Sequence, residues 1–196
     1  QGSILAVCCY VAAKLSGVHV LAGIAGAVLT GAVLGGLNGV LVARLKVQSF
    51  VATICTMFVL RGLVRYLTSK YSVSASLAML HLNLFSVKAA VAFVIIAGGY
   101  ILYQYTGFGK SARMIGAGET AAEYSGIHVK NMKILIFIFA GTMAGIASVF
   151  SLLRTGSVIS TTGNLLETDV MIALVLGGLP ITGGAKSKYS PVITGV

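Results

Sequence analysis

Residues 18–43 contain no Asp, Glu, Lys or Arg. About 20 mostly apolar residues, coiled as a helix, cross the hydrocarbon core of a bilayer. Similar runs occupy residues 49–67, 87–105 and 134–153, and residues 3–13 form a truncated first candidate. A sixth run, 170–181, is short and is broken by Gly177, Gly178 and Pro180, and a seventh begins near Tyr189. The sequence therefore predicts a protein that crosses the membrane several times.

The expected fold is all-α, because a backbone exposed to lipid must satisfy its own hydrogen bonds and the alternation of barrel strands is missing. We predict a polytopic helical bundle with about six to seven transmembrane or re-entrant segments. Residues 1–196 are expected to form a single transmembrane domain. It is expected to be incomplete at both ends, since one apolar run is already under way at Ile4 and another is under way where the chain stops.

Composition supports a membrane protein and excludes most soluble classes. Hydrophobic residues make up 57% of the chain and charged residues only 9%, whereas a soluble domain has about 25% charged residues. The net charge of +10 would suggest nucleic acid in a soluble protein, but the basic residues lie mostly between apolar runs. The positive-inside rule and anionic lipid headgroups account for them. We expect the lipid bilayer as a partner and no nucleic acid.

Side chains typical of catalysis or metal binding are sparse and scattered. The histidines are far apart and lack carboxylate or cysteine partners at ligand spacing; they are His19, His81 and His128. The cysteines all lie in apolar runs, where buried unreactive side chains are the expected state; they are Cys8, Cys9 and Cys55. We therefore expect no metal site and no catalytic site, which makes a transport subunit more plausible than an enzyme.

Small residues recur at every fourth position in two of the apolar runs. This spacing places them on one helical face and predicts close helix packing, with a glycine hinge as the alternative. The residues are Ala27, Gly31, Gly35, Gly39, Gly141 and Gly145. Polar side chains in or beside the runs are candidates to line a solute pathway or to bond a neighbouring helix. They are Asn38, Thr53, Thr56, Glu167 and Asp169.

Residues 106–133 form the longest polar connection and are predicted to be a cytoplasmic loop. Four glycines within residues 107–118 predict irregular structure there, and a short helix follows over 119–125. Thr120 and Glu123 match a capping box, Glu119 suits the positive end of the helix dipole, and Gly126 suits a left-handed C-terminal position. A short helix held between two membrane spans would transmit its own displacement to both spans.

Three stretches of the chain resemble the permease subunit of bacterial ABC importers for sugars, the ribose-permease-like family. They are residues 35–67, GGLNGVLVARLKVQSFVATICTMFVLRGLVRYL; residues 116–127, GAGETAAEYSGI; and residues 165–185, LLETDVMIALVLGGLPITGGA. Their order and spacing also agree with that family, so the resemblance covers nearly the whole chain.

The resemblance implies that two permease subunits, identical or different, form a pathway across the bacterial inner membrane. Two cytoplasmic ATPase subunits drive it, and a solute-binding protein outside delivers the cargo, a monosaccharide such as ribose. ATP binds to the ATPase, so no cofactor is expected in this chain. The loop helix becomes the coupling helix that contacts the ATPase. Its residues are Gly118, Glu119, Thr120, Ala121, Ala122, Glu123, Tyr124, Ser125, Gly126 and Ile127.

Three alternatives remain open. The same architecture could carry branched-chain amino acids, nucleosides or a signalling sugar derivative. A secondary transporter driven by an ion gradient would need carboxylates in the middle of its spans, and the runs at 18–43, 87–105 and 134–153 contain none. An intramembrane enzyme would need clustered His, Asp or Glu residues, which the sequence lacks.

Overall fold

The computed structural model describes residues 1–17, 19–45, 47–69, 73–74, 85–159, 161–164 and 166–176. Helices dominate these residues, so the predicted all-α fold is confirmed. In chain order the helices are α1 (Gly2–Ser16), α2 (Val20–Arg44), α3 (Ser49–Thr68), α4 (Phe85–Tyr105), α5 (Gly107–Ala117), α6 (Glu119–Tyr124), α7 (Val129–Thr155) and α8 (Leu166–Leu176). Two short strands, β1 (Val73–Ser74) and β2 (Ser157–Val158), complete the described elements.

Within the described residues, α2, α3 and α7 are long and apolar enough to cross a membrane. Helix α1 and the Phe93–Tyr105 part of α4 are shorter apolar helices. These helices match the first five predicted runs, and α8 matches the start of the sixth. The break at Gly177, Gly178 and Pro180 and the run near Tyr189 lie outside the described residues, as do most of the polar residues 68–86. The chain is a multi-pass membrane protein.

The chain divides into two compact units, which are described separately below. The first consists of Gln1–Ala89 with Ile134–Asn164, and the second of Ala90–Lys133 with Leu165–Val196. The first unit contains α1, α2, α3 and most of α7. The second contains most of α4, together with α5, α6 and α8.

Helices α2 and α7 pack against each other through the small residues in the first unit. Contacts pair Ala27 with Gly145, Gly31 with Gly141, Gly35 with Phe137, and Gly39 with Ile134. Because the α7 positions fall as the α2 positions rise, the two helices run antiparallel. A Cβ atom at Gly39 would lie 2.9 Å from the Ile134 Cα, and one at Gly145 would lie 2.6 Å from the Ala27 carbonyl oxygen. Only glycine permits this approach, and α2 stays one continuous helix throughout.

Helix α1 supplies much of the buried core of the first unit. Cys8 and Cys9 are both buried, and the Cys9 thiol donates a hydrogen bond of 3.2 Å to the Ser148 carbonyl oxygen on α7. The Ser148 hydroxyl in turn donates to the Gly145 carbonyl oxygen at 2.6 Å. Both of these buried polar groups therefore have a partner, as an apolar environment requires.

The two strands join the segments that follow α3 and α7. They pair antiparallel, with Val73 opposite Val158 and Ser74 opposite Ser157. Gly156 ends α7 with a positive φ of 71°, and the Val158 side chain is fully buried. This ladder brings the C-terminal ends of α3 and α7 to the same side of the first unit.

Candidate functional site

The segment between α4 and α7 is more ordered than its glycine content predicts. The prediction of a loop over residues 107–118 is wrong, because α5 spans Gly107–Ala117. Thr106 is the N-cap residue of this helix, and its hydroxyl accepts a hydrogen bond from the Gly109 amide at 3.5 Å. Phe108, Ala112 and Ile115 also recur at helical spacing and give α5 an apolar face. N-capping and amphipathic spacing therefore outweigh the low helix propensity of the glycines.

Helix α6 follows after a single extended residue, Gly118, and its start differs from the prediction. The predicted capping box is wrong, because Gly118 occupies the N-cap and no side chain caps the helix. Thr120 lies inside the first turn, where its hydroxyl cannot act as the cap. Glu119 does lie in the first turn, which is favourable for a negative charge near the helix N-terminus.

The C-terminal end of α6 is a Schellman motif. The Gly126 amide donates to the Glu123 carbonyl at 3.0 Å, and the Ile127 amide donates to the Ala122 carbonyl at 3.1 Å. Gly126 has a φ of 82°, so its predicted left-handed conformation is confirmed. Ala122 is buried, which fits the apolar contact that accompanies this motif. The chain direction after α6 is therefore fixed by backbone hydrogen bonds.

Replacing Gly126 tests this helix end. Gly126→Ala is expected to destabilise the α6 terminus by about 1–2 kcal/mol, because a side chain in the left-handed region meets the following carbonyl. No other atom lies within 4 Å of the added Cβ, so the cost comes from the backbone alone. Hydrogen exchange of the Ile127 amide should accelerate accordingly. Gly126→Asn is the control, since Asn tolerates this conformation, and equal protection in both variants would contradict the assignment.

One side of α6 is exposed in the chain. Tyr124 is 94% exposed, and Thr120, Ala121 and Glu123 are exposed as well, whereas Ala122 is buried. A large aromatic side chain held on a short fixed helix is typical of a residue that anchors a protein interface. The other predicted coupling residues frame this helix: Gly118 and Glu119 begin it, and Ser125, Gly126 and Ile127 end it.

An ion pair links the start of α6 to the start of α7. The Lys133 Nζ lies 2.6 Å from the Glu119 Oε1. The two side chains are 23% and 60% exposed, so solvent screens the pair and its contribution to stability is about 0.2–1 kcal/mol. Lys133 was missed by the sequence analysis, because the partners are 14 positions apart and no local spacing indicates the contact.

Two of the proposed pathway residues meet in the first unit. The Thr56 hydroxyl on α3 lies 2.6 Å from the Asn38 Oδ1 on α2 and 2.9 Å from the Ala52 carbonyl oxygen. Asn38 is buried, at 4% exposure. Thr53 bonds within its own helix, at 2.9 Å from the Ser49 carbonyl oxygen. The geometry gives Asn38 and Thr56 a role in holding α2 to α3.

The substitution Thr56→Val tests whether the contact between Asn38 and Thr56 holds α2 to α3. The variant removes the partner of a buried amide, and polar bonds between membrane helices contribute about 0.6–1.7 kcal/mol. We expect a lower midpoint of thermal unfolding in detergent for Thr56→Val. Thr53→Val is the matched control, because its hydroxyl bonds only to backbone of α3. Equal midpoints for the two variants would show that the contact between Asn38 and Thr56 does not hold the helices together.

The two acidic candidates lie in the second unit. Glu167 and Asp169 are both in the first turn of α8, where negative charge is favoured by the helix dipole. Asp169 is exposed and Glu167 is partly buried. Their placement fits a helix start as well as a solute entrance. Within the part of the chain that the structure describes, no three His, Cys, Asp or Glu residues cluster as metal ligands.

Comparison with protein families decides the class. Residues 1–196 match the model described as branched-chain amino acid transport system / permease component. This chain belongs to that family. The match covers every residue, so it includes both compact units and the segment from α4 to α7.

Individual relatives are permeases for sugars. The chain is 33% identical over 197 residues to the ribose import permease protein RbsC of Escherichia coli K12, covering 93% of this chain and 61% of the relative. It is 30% identical over 201 residues to the fructose import permease protein FruG of Bifidobacterium longum, covering 93% and 59%. It is 34% identical over 186 residues to the L-arabinose ABC transporter permease protein AraH of Azospirillum brasilense, covering 90% and 54%.

These relatives confirm the resemblance to sugar-importer permeases. The chain spans about three fifths of the length of the ribose and fructose permeases and less of the arabinose permease. No solved structure matches the chain significantly.

Proposed function

We propose that this chain is part of the permease subunit of an ATP-driven importer of a monosaccharide in the bacterial inner membrane. The observation that supports it most is the similarity, over nine tenths or more of the chain, to permeases for three different sugars. The permease opens alternately to the two sides of the membrane and has no chemistry of its own. ATP binds to the partner ATPase, and this chain needs no cofactor.

The proposed cargo is a pentose or hexose, with ribose as the first candidate. The description of the matching family names branched-chain amino acids, which makes them the second candidate. The sugar proposal is favoured because the ribose, fructose and arabinose permeases match at 30–34% identity. A solute-binding protein outside the membrane delivers the cargo, and a second permease subunit completes the pathway.

Helix α6 is the proposed contact with the ATPase. The support is its exposed Tyr124 and Ala121, its fixed C-terminal end at Gly126, and the ion pair between Glu119 and Lys133. The backbone hydrogen bonds at Gly126 and the ion pair join α6 to the start of α7. Movement of the ATPase is therefore passed to the membrane helices, which is how ATP hydrolysis controls access to the pathway.

The direction of the helices supports the orientation this contact needs. Because α2 and α7 run antiparallel, the end of α2 at Arg44 and the start of α7 face the same side of the bilayer. Lys130 and Lys133 lie in the first turns of α7. Basic residues at the ends of spans favour the cytoplasmic side, where the ATPase is located. We propose that residues 106–133 are cytoplasmic.

Co-purification of the full-length permease tests the proposal. When the permease is expressed with the proteins encoded by its neighbouring genes and purified by a tag of its own, an ATPase should elute with it in a fixed ratio. A purified permease that binds no ATPase, yet imports sugar when an ion gradient is applied, would instead establish a secondary transporter.

A further inference from the structure

The end of α4 is held by side chains from the residues that follow it. The last four carbonyl groups of a helix have no partner within the helix. The Arg113 Nη2 donates to the carbonyl oxygens of Tyr103 and Gln104, at 3.3 Å in each case. The Thr106 hydroxyl donates to the carbonyl oxygen of Leu102. Three carbonyl groups at the end of α4 thus receive donors from beyond the helix.

The same arginine is a residue of α5 and also bonds to the backbone of its own helix. The Arg113 Nε donates to the Gly109 carbonyl oxygen at 3.3 Å, and the guanidinium lies over the Tyr103 ring, 5.1 Å from its centroid. One planar group of α5 thus binds the end of α4 by hydrogen bonds and by a cation–π contact. Its positive charge also faces the negative end of the α4 dipole.

Close backbone packing brings α5 against the end of α4. A Cβ atom at Gly109 would overlap the Tyr103 carbonyl group and would lie 2.7 Å from the Tyr103 Cα. Gly109 is buried, and any larger residue would separate α5 from α4. The connection from α6 to α7 instead runs through residues 125–128, which lie outside either helix, and includes the screened pair between Glu119 and Lys133.

We propose that Arg113 is a positioning residue that joins α4 and α5 into one rigid corner, so that a displacement of the coupling helix α6 is delivered to α4. This inference rests on the proposed function. Only Gly118 separates α6 from α5, and the Gly118 amide donates to the Met114 carbonyl oxygen at 3.1 Å. Without Arg113, part of the displacement would be lost as bending at the corner.

The test measures the number of ATP molecules hydrolysed for each sugar molecule imported. Full-length permease, ATPase and binding protein are reconstituted in proteoliposomes, with ribose as the probe. For Arg113→Ala we expect this ratio to rise about fivefold or more, the low end of typical coupling between sites. Lys110→Ala is the matched control: it removes the same charge from an exposed position of the same helix, and its ratio should equal that of the unmodified protein.

Arg113→Lys provides a second variant that keeps the charge if Arg113→Ala does not insert into the membrane. A lysine has a single donor group and cannot replace the planar fork, so the ratio should again rise, by a smaller factor. A purely structural role would lower hydrolysis and import in proportion, and an unchanged ratio in the inserted variants would overturn the inference. If the unmodified complex showed no sugar-dependent hydrolysis, the proposed function would fail, and the inference with it.

Discussion

Gly35→Ala is expected to destabilise the first unit by about 1–3 kcal/mol, the usual cost of adding an atom to a well-packed contact. The new Cβ would overlap the Phe137 carbonyl oxygen and would lie 3.0 Å from the Gly141 Cα. Both are backbone atoms, so α2 and α7 must move apart as whole helices. Thermal unfolding in detergent should show a lower midpoint, and Gly35→Leu should lower the yield of folded protein further.

The adjacent glycine is the control. At Gly36 the nearest atom to an added Cβ is the Ile138 Cγ1, at 3.4 Å, which is ordinary contact with a side chain. Gly36→Ala should therefore be neutral or stabilise α2 by up to about 1 kcal/mol through helix propensity. If both variants unfolded at the same temperature, the close contact between α2 and α7 would not contribute to the fold.

Tyr124→Ala should weaken binding of the ATPase by about thirtyfold or more, because an aromatic anchor at the centre of an interface contributes about 2 kcal/mol or more. Tyr124 is 94% exposed, so the substitution costs little within the permease itself. Ala121→Arg should have an equal or larger effect, since it places a charged side chain on the same exposed helix. The measurement is the amount of ATPase that co-purifies with full-length permease, together with its sugar-dependent hydrolysis.

Tyr66→Ala serves as the control for Tyr124→Ala. Tyr66 is also highly exposed, at 79%, but it lies on α3 in the first unit. Its removal should leave both the binding of the ATPase and the hydrolysis of ATP by the complex unchanged. Normal recovery of the ATPase with Tyr124→Ala and Ala121→Arg would show that α6 is not the contact.

The sequence predicted the membrane helices well where polar residues delimit an apolar run. The run at 18–43 became α2 at Val20–Arg44, and the run at 49–67 became α3 at Ser49–Thr68. The long helix α7 was located less well, because it begins at Val129, before the predicted start at residue 134. Lys130 and Lys133 suggested a loop, but long basic side chains can extend from a helix toward water. A helix need not end where its apolar run ends.

The contacts between segments could not be predicted in the same way. The repeats of small residues were visible in α2 and α7 separately, but only the structure shows that Gly31 faces Gly141. Helix α5 was missed because the four glycines in residues 107–118 weigh locally against a helix, whereas Gly109 is needed for the approach to Tyr103. Arg113 was missed because its acceptors are backbone carbonyl groups, and these carry no signature in the sequence.

The sequence predicted one end of the candidate coupling helix correctly and the other end wrongly. Gly126 was predicted correctly because a left-handed helix end selects for glycine so strongly that the residue type alone is informative. The capping box at Thr120 and Glu123 was wrong because that short pattern is common, and Gly118 begins the helix without a side-chain cap. In this helix the local signal was thus reliable where the backbone conformation restricts the choice of residue.

Uptake of labelled ribose into proteoliposomes tests the central proposal most directly. The full-length permease is reconstituted alone, with the ATPase, and with both the ATPase and the solute-binding protein, with the binding protein and the sugar supplied on the opposite side of the membrane from ATP. The proposal predicts uptake only when all three proteins and hydrolysable ATP are present, and none with a non-hydrolysable analogue. Concentrative uptake by the permease alone, driven by a proton or sodium gradient, would contradict it.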